Sequence, residues 1–203
     1  MEGIEHFPRS GPAIVVGNHL SYLDPFAHGY FVVRAGRHPR FLAKVELFEN
    51  PLLRTVLLGM GQIPVRRGSG DQRPLEEAIR AVERGEVVVI YPEGTSTAGG
   101  PDFTPGRGKT GAVRLALATG APIVPVVTWG GQYVWRRGAF RRPGFGHPIW
   151  LRAVEPIDVR ARAAGAEDPD TVRRLTDELM AELAELVGGL REAYPRRWAR
   201  AVG

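Results

Sequence analysis

A histidine and an aspartate lie five residues apart, directly after a short apolar run. The run Ala13–Val16 is β-branched and predicts a buried strand, so His19 falls just beyond its end, where ligand sites of α/β proteins gather. From its position, Asp24 can hydrogen-bond one ring nitrogen of His19 and fix its tautomer, which leaves the other nitrogen to take a proton from a substrate hydroxyl. The pair predicts a general base, worth roughly 10²–10⁴-fold in rate.

The same residues also admit structural interpretations. Ser21 and Asp24 fit the Ser-x-x-acid pattern of a helix start, in which Asp24 supports the first turn and Pro25 is tolerated. A single histidine at a strand end is also often a hydrogen-bonded structural residue. The segment alone leaves both interpretations open.

Composition narrows the classes of protein. The 203 residues suit a single domain with a sizeable core, and the absence of cysteine excludes disulfides and thiolate chemistry. The histidines form no His-x-x-x-His pair, which predicts no metal, and the Gly-x-Ser-x-Gly elbow of serine hydrolases is missing. A net charge of +5 and a pI near 10.1 favour anionic partners. Without a signal peptide or an apolar stretch of about 18–20 residues, the chain as given is not expected to cross a membrane.

Short apolar runs alternate with helical patterns along the chain. Strands are predicted at residues 13–16, 41–43, 62–65, 87–91, 123–128 and 149–154. Helices are predicted at residues 74–84, at 110–119, and after the start signal at 168–170. This alternation predicts an α/β fold: a single domain with a central, mixed or largely parallel sheet covered by helices, and a C-terminal amphipathic helix. Residues 1–165 would form the catalytic domain, and residues 166–203 a helix packed on it.

Two further groups of polar residues follow predicted strands. Arg66 and Arg67 come after a short strand, and guanidinium groups bind phosphate oxygens in a bidentate manner. The strand at 87–91 ends in Pro-Glu-Gly-Thr, where the carboxylate of Glu93 can hold substrate hydroxyls or an arginine. As alternatives, the arginines are solvated surface residues and Glu93 belongs to a solvated turn.

Residues 106–111 match nucleotide-binding patterns in sequence but not in context. No strand pattern precedes Gly106, and Phe103 stands where a phosphate loop has its first glycine. Nucleotide binding is therefore not predicted. Lys109, near the start of a predicted helix, can still contact an anion.

The segment 129–145 mixes aromatic side chains with four arginines. This composition suits a lipid headgroup layer, where indole rings are buried and cations meet lipid phosphates. Single-stranded nucleic acid would bind the same mixture, and an ordinary loop over the core is the structural alternative.

Taken in this order, the segments resemble the PlsC-like 1-acylglycerol-3-phosphate acyltransferases, also called lysophosphatidic acid acyltransferases. Asn18-His19 with Asp24 resembles the family's His-x₄-Asp motif, and residues 61–67 resemble its second block. Residues 91–95 resemble its Pro-Glu-Gly-Thr block, and residues 123–126 are similar to its fourth. The likeness extends over residues 3–158.

The resemblance implies transfer of a fatty acyl group from acyl-CoA or acyl carrier protein to a hydroxyl of lysophosphatidic acid, giving phosphatidic acid without a cofactor or a metal. His19 would be the base and Asp24 its orienting partner. The implied substrate-binding residues are Asn18, Arg66, Arg67, Glu93, Gly94, Thr95 and Lys109, with Pro125 in the wall that lines the acyl chain.

Two departures from the family pattern concern the acceptor and the association with the membrane. Ser96 stands where the family usually has an arginine, so another lipid or a glycolipid is the alternative acceptor. Only eighteen residues precede His19, where members commonly carry membrane-associating helices. The expected partners are the acyl donor, a lysophospholipid and a membrane surface, bound peripherally at the cytoplasmic face of the cell membrane, and no nucleic acid. The alternative of a different class is a non-catalytic lipid- or nucleic-acid-binding module.

Overall fold

A computed structural model describes residues 1–66, 68, 70–94, 103–135 and 146–198. The strands in this part of the chain are β1 (Ala13–Val16), β2 (Pro39–Lys44), β3 (Ile63–Val65), β4 (Val87–Ile90), β5 (Ile123–Trp129) and β6 (Trp150–Ala153). The α-helices are α1 (Asp24–Arg34), α2 (Pro51–Gly59), α3 (Arg73–Glu83), α4 (Gly111–Thr119), α5 (Gly131–Val134), α6 (Val159–Ala163) and α7 (Pro169–Ala193). Two 3-10 helices cover Ile4–His6 and Val45–Phe48.

The strands form one sheet in the order β3-β2-β4-β1-β5-β6. All neighbouring pairs from β3 to β5 are parallel, and β6 runs antiparallel to β5. The carboxyl ends of β1, β4 and β5 therefore lie at the same edge, where α/β sheets commonly hold their ligand sites. The predicted α/β fold with a largely parallel sheet is confirmed.

Both faces of the central strands are buried. On one face, Ile14 and Val16 belong to a core shared with α3, α4 and α7. On the other face, Ala13 and Val15 pack with apolar side chains of α1. This double burial explains why β1 and β4 are continuous apolar runs rather than alternating ones.

The last helix, α7, covers the sheet near β5. It spans 25 residues and begins after Asp168, whose Oδ1 accepts the backbone N–H groups of Asp170 and Thr171 at 3.0 Å each. Its buried stripe consists of Val172, Leu175, Leu179, Leu183, Val187 and Leu190. The proposed division of the chain at residue 165 stays a prediction.

The strands and the helices predicted before residue 165 are all present, with ends that differ by at most two residues. The C-terminal helix covers Pro169–Ala193 within the predicted range 166–203. Helices α2, α5 and α6 were not predicted from the sequence, and of α1 only the start was. Helix α2 has no buried residue, although Leu53, Val56 and Leu57 recur at helical spacing along it. Among the described residues, no helix has both the length and the apolar character needed to span a membrane.

Candidate active site

His19 and Asp24 face each other at the carboxyl edge of the sheet. His19 Nδ1 lies 3.2 Å from Asp24 Oδ2. The two residues are only 5% and 1% exposed. This contact favours the tautomer with its hydrogen on Nδ1, in which Nε2 carries the lone pair. The pair thus has the arrangement of a base and its orienting carboxylate.

Four further donors hold the Asp24 carboxylate. Oδ2 accepts the backbone N–H groups of Leu20 and Ser21, the latter at 2.6 Å. Oδ1 accepts the hydroxyls of Ser21 at 2.9 Å and Thr128 at 3.1 Å. Because Asp24 is the first residue of α1, the helix dipole also favours its negative charge. Oδ2 contacts both the backbone just before α1 and the His19 ring, so the structural interpretation of Asp24 does not exclude the functional one, which stays a prediction.

Asn18 attaches the histidine segment to β5. Its side chain is fully buried. Nδ2 donates to the backbone oxygen of Thr128 at 2.9 Å, and Oδ1 accepts the backbone N–H of Thr128 at 2.8 Å. These two bonds continue the β1–β5 pairing beyond the end of β1. The structure therefore directs the polar atoms of Asn18 to the sheet, where they position His19.

The turn after β4 brings a second carboxylate to the pair. Glu93 Oε1 accepts the backbone N–H of His19 at 3.4 Å. Gly94 follows with φ +67°, a conformation that favours glycine. A Cβ at Gly94 would lie 2.8 Å from Lys109 Nζ, so the lysine side chain lies directly against this turn. Glu93, Gly94 and Lys109 therefore meet at the same edge as His19.

Glu93 has an unusual protonation equilibrium. Burial is the main cause that raises its pKa to about 7, and the charge of Asp24 contributes in the same direction. Hydrogen bonds from the backbone N–H groups of His19 and Gly106 oppose the increase. Glu93 therefore changes charge near neutral pH.

Besides Thr128, the sequence did not predict two aromatic residues of the site, Tyr91 and His28. The ring of Tyr91 stacks on the His19 imidazole, with centroids 4.4 Å apart and planes inclined by 19°. The Tyr91 hydroxyl lies 3.1 Å from Nδ1 of His28, which is fully buried. The only local signal for His28 was its position four residues after Asp24, one turn along the helix that begins there. Tyr91 gave no signal, since it was predicted as the end of a strand.

The structure does not bring Arg66 to the pair. Arg66 is exposed after β3, where it lines a cavity of about 490 Å³ together with Asp71 and Arg73. Three strand spacings separate β3 from β1, which corresponds to roughly 14 Å. Arg67 and Thr95, with Ser96, lie outside the described residues.

Pro125 is buried within β5 and is in register with Val16 of β1. Alternation along β5 puts its side chain on the same face as Ile123 and Val127, whereas α1 covers the opposite face. The expected place of Pro125 in an acyl-chain wall stays a prediction.

The structure divides the segment that mixes aromatic and basic residues. Trp129 is 1% exposed and belongs to the core, so the expectation that it meets a headgroup layer is wrong. Trp135 is 39% exposed, and its ring lies 5.2 Å from that of Tyr22. Residues 136–145, which contain all four arginines, lie outside the described residues.

The fold and site together define an α/β protein with a buried histidine–aspartate pair in contact at the carboxyl edge of a mostly parallel sheet. The chain belongs to the Acyltransferase family, which matches it over residues 1–129.

Similar proteins agree with this membership. The chain is 34% identical over 134 residues to a 1-acyl-sn-glycerol-3-phosphate acyltransferase of Borreliella burgdorferi, covering 63% of this chain and 49% of that protein. It is 31% identical over 133 residues to the chloroplastic 1-acyl-sn-glycerol-3-phosphate acyltransferase BAT2 of Brassica napus, covering 64% and 37%. The chain thus spans less than half the length of these two curated relatives. The crystal structure of the acyltransferase PlsC from Thermotoga maritima matches 94% of this chain and 70% of its own, with a TM-score of 0.69 and 27% identity.

Proposed function

We propose that the protein transfers a fatty acyl group from an acyl thioester, acyl-CoA or acyl carrier protein, to a hydroxyl of lysophosphatidic acid, which gives phosphatidic acid. The observation that carries this proposal is the 3.2 Å contact between His19 and Asp24 in a chain of the Acyltransferase family. The names of the relatives from Borreliella burgdorferi and Brassica napus support the acceptor.

The reaction needs one base and no covalent enzyme intermediate. His19 Nε2 takes the proton of the acceptor hydroxyl while its oxygen attacks the thioester carbonyl. The Asp24 carboxylate stabilises the imidazolium that forms. When the tetrahedral intermediate collapses, the new C–O bond is kept, the C–S bond breaks, and His19 returns the proton to the leaving thiolate. Holding both substrates beside the base increases the rate further through proximity.

The residues around the pair supply contacts for the acceptor. Lys109 is the cation beside the Glu93 turn, so we assign the acceptor phosphate to it first. Glu93 would accept a glycerol hydroxyl. Arg66 and Arg67 are further candidates for the phosphate, and Thr95 for a hydrogen bond at the turn.

An acceptor without the phosphate of lysophosphatidic acid is the alternative. The position after the Pro-Glu-Gly-Thr block holds Ser96 rather than the arginine typical of the resembled family. A serine offers a hydrogen bond but no positive charge. The serine therefore weakens the binding of an acceptor that carries a phosphate more than the binding of another lipid or a glycolipid.

We propose that the reaction occurs at the cytoplasmic face of the cell membrane, to which the protein binds peripherally. Support comes from exposed apolar side chains. On α1, Phe26, Tyr30 and Val33 are 74%, 56% and 55% exposed, and their spacing makes one stripe. On α2, Leu52 is 78% exposed. Exposed apolar surface of this kind marks contacts with membranes or proteins.

Thioester consumption tests the proposal. Purified protein receives acyl-CoA or acyl carrier protein as donor, with lysophosphatidic acid in one reaction and a lipid extract in another. Release of free thiol and mass spectrometry of the product are measured. We expect phosphatidic acid in the first reaction, a loss of at least about 10²-fold for His19→Ala, and a large loss for Asp24→Asn.

His38→Ala provides the matched control, because His38 is an exposed histidine outside the site. This variant should keep the wild-type rate. Equal thiol release by wild type and His19→Ala would refute the proposed function. A product formed only from the lipid extract would instead establish the alternative acceptor.

A further inference from the structure

Tyr91 connects the His19 imidazole to buried parts of the protein. Its ring is nearly parallel to that of His19, at 4.4 Å and 19°. It is also nearly parallel to the ring of Phe41, at 6.5 Å and 21°. Tyr91 follows β4 and Phe41 belongs to β2, two strands that are neighbours in the sheet. The ring against His19 is therefore attached to the sheet rather than to a surface loop.

His28 fixes the far end of the Tyr91 side chain. Its Nε2 lies 2.7 Å from the backbone oxygen of Val126, and its Nδ1 lies 2.9 Å from that of Asp24 and 3.1 Å from the Tyr91 hydroxyl. Burial lowers the pKa of His28, which favours the neutral ring. A neutral imidazole donates from one nitrogen only: either Nε2 donates to Val126 and Nδ1 accepts the Tyr91 hydroxyl proton, or Nδ1 donates to the Asp24 oxygen. In both tautomers the Tyr91 hydroxyl stays in contact with Nδ1.

We propose that Tyr91 is a positioning residue: held by His28, its aromatic face orients the His19 imidazole toward Asp24 and stabilises the imidazolium that forms when His19 takes up a proton. This inference rests on the proposed role of His19 as the base. It adds a group to the reaction that is neither part of the pair nor in contact with the acceptor.

The aromatic face of Tyr91 can stabilise protonated His19 because the imidazolium carries a positive charge. An aromatic face within about 6 Å attracts a cation, and the attraction grows when both groups are desolvated. The centroid separation of 4.4 Å is inside this limit, and His19 is 5% exposed. Among the described residues, the other titratable groups near His19 are the imidazole of His28 on α1 and the carboxyl groups of Asp24 on α1 and Glu93 in the turn after β4. The two carboxylates act on the charge of the ring, whereas Tyr91 also fixes its plane.

The test measures the protonation of His19 with and without the aromatic face. The ring Cε1–H signal of His19, assigned by its absence in His19→Ala, is followed by NMR as the pH changes. For Tyr91→Leu we expect the midpoint to move to lower pH by about half a pH unit to one unit. The acidic limb of the kcat/KM profile should move by the same amount, and kcat should fall about tenfold with KM little changed.

Tyr194→Leu is the control, because Tyr194 is a buried tyrosine outside the site whose hydroxyl donates to the backbone oxygen of Pro148 at 2.8 Å. It should lower stability without moving the midpoint. A folded Tyr91→Leu protein with an unchanged midpoint would overturn the inference. Since this NMR measurement needs no substrate, it gives its result even if acyl transfer is not observed.

A second comparison remains decisive if Tyr91→Leu does not fold. Tyr91→Phe keeps the aromatic face, and pentafluorophenylalanine at the same position has a similar shape but a reversed ring electrostatic field. We expect the fluorinated ring to give the lower midpoint. Identical midpoints for the two rings would overturn the stabilising role of the aromatic face.

Discussion

Replacing Glu93 with glutamine should stabilise the protein increasingly as the pH rises. In the folded protein, burial raises the pKa of Glu93 from 4.5 to about 7. Below the unfolded value, the carboxyl is neutral in both states and carries no electrostatic cost. As the pH rises from 4.5 to about 7, the unfolded chain releases its proton before the folded one does, so the free energy of unfolding falls. Above that range, the folded protein carries the full cost of the charged carboxylate.

The magnitude follows from the two pKa values. The interval from 4.5 to about 7, at about 1.36 kcal/mol per pH unit, corresponds to roughly 3 kcal/mol. Glu93 is partly exposed, and screening by solvent reduces this upper value. We therefore expect a measured effect of about 1–3 kcal/mol.

Urea unfolding at about pH 5 and about pH 8 measures this effect. The stability of Glu93→Gln relative to wild type should rise by about 1–3 kcal/mol between the two conditions. Glu185→Gln, which removes an exposed carboxylate from α7, controls for the change in net charge. A stability difference that is the same at both pH values would refute the reasoning. A difference that falls would mean that a cation such as Lys109 compensates the charge.

Two other predictions concern the framework of the site. Gly17→Ala should cost at least about 2 kcal/mol in thermal unfolding, because its Cβ would lie 2.3 Å from His28 Nε2 and 2.8 Å from the Val126 oxygen. Gly29→Ala, with no neighbour closer than 3.7 Å in the middle of α1, should instead be neutral or stabilising, and an equal loss in both variants would contradict this account. Asp168→Ala should cost about 1 kcal/mol by removing the cap of α7. Acyl transfer should be unchanged, and unchanged stability would show that the cap contributes nothing.

Much of the fold could be predicted because its signals are local. The strands β1 and β4 are short β-branched runs, and α3, α4 and α7 carry apolar residues at helical spacing. Helix α2 carries apolar residues at helical spacing as well, with Leu53, Val56 and Leu57 on one face, yet none of its residues is buried. Its local start signal, Asn50 before Pro51, is present: Asn50 accepts the backbone N–H of Leu53 at 3.0 Å. Both signals of α2 are therefore present in the local sequence, whereas its lack of packing is a property of the tertiary structure.

The residues of the site also differ in whether the local sequence could predict them. His19 and Asp24 are close in sequence, so their spacing alone predicted the contact. Tyr91 and Thr128 reach them from β4 and β5, and no pattern within one segment indicates such contacts. Thr128 is 104 residues from the carboxylate it bonds. Only the strand order, which places β1 between β4 and β5, brings these groups together.

Three consecutive residues show how the sheet, rather than the loop, sets the geometry of the pair. The missing side chain of Gly17 leaves space for His28, and the side chain of Asn18 bonds the backbone of Thr128. His19 is the next residue, so its backbone is held close to β5 by the hydrogen bonds of Asn18. The partner carboxylate is bonded by the Thr128 hydroxyl as well. The segment that carries His19 and the carboxylate of Asp24 are therefore both hydrogen-bonded to Thr128 of β5. Because they share this residue, a displacement of β5 moves them together and preserves the distance between them.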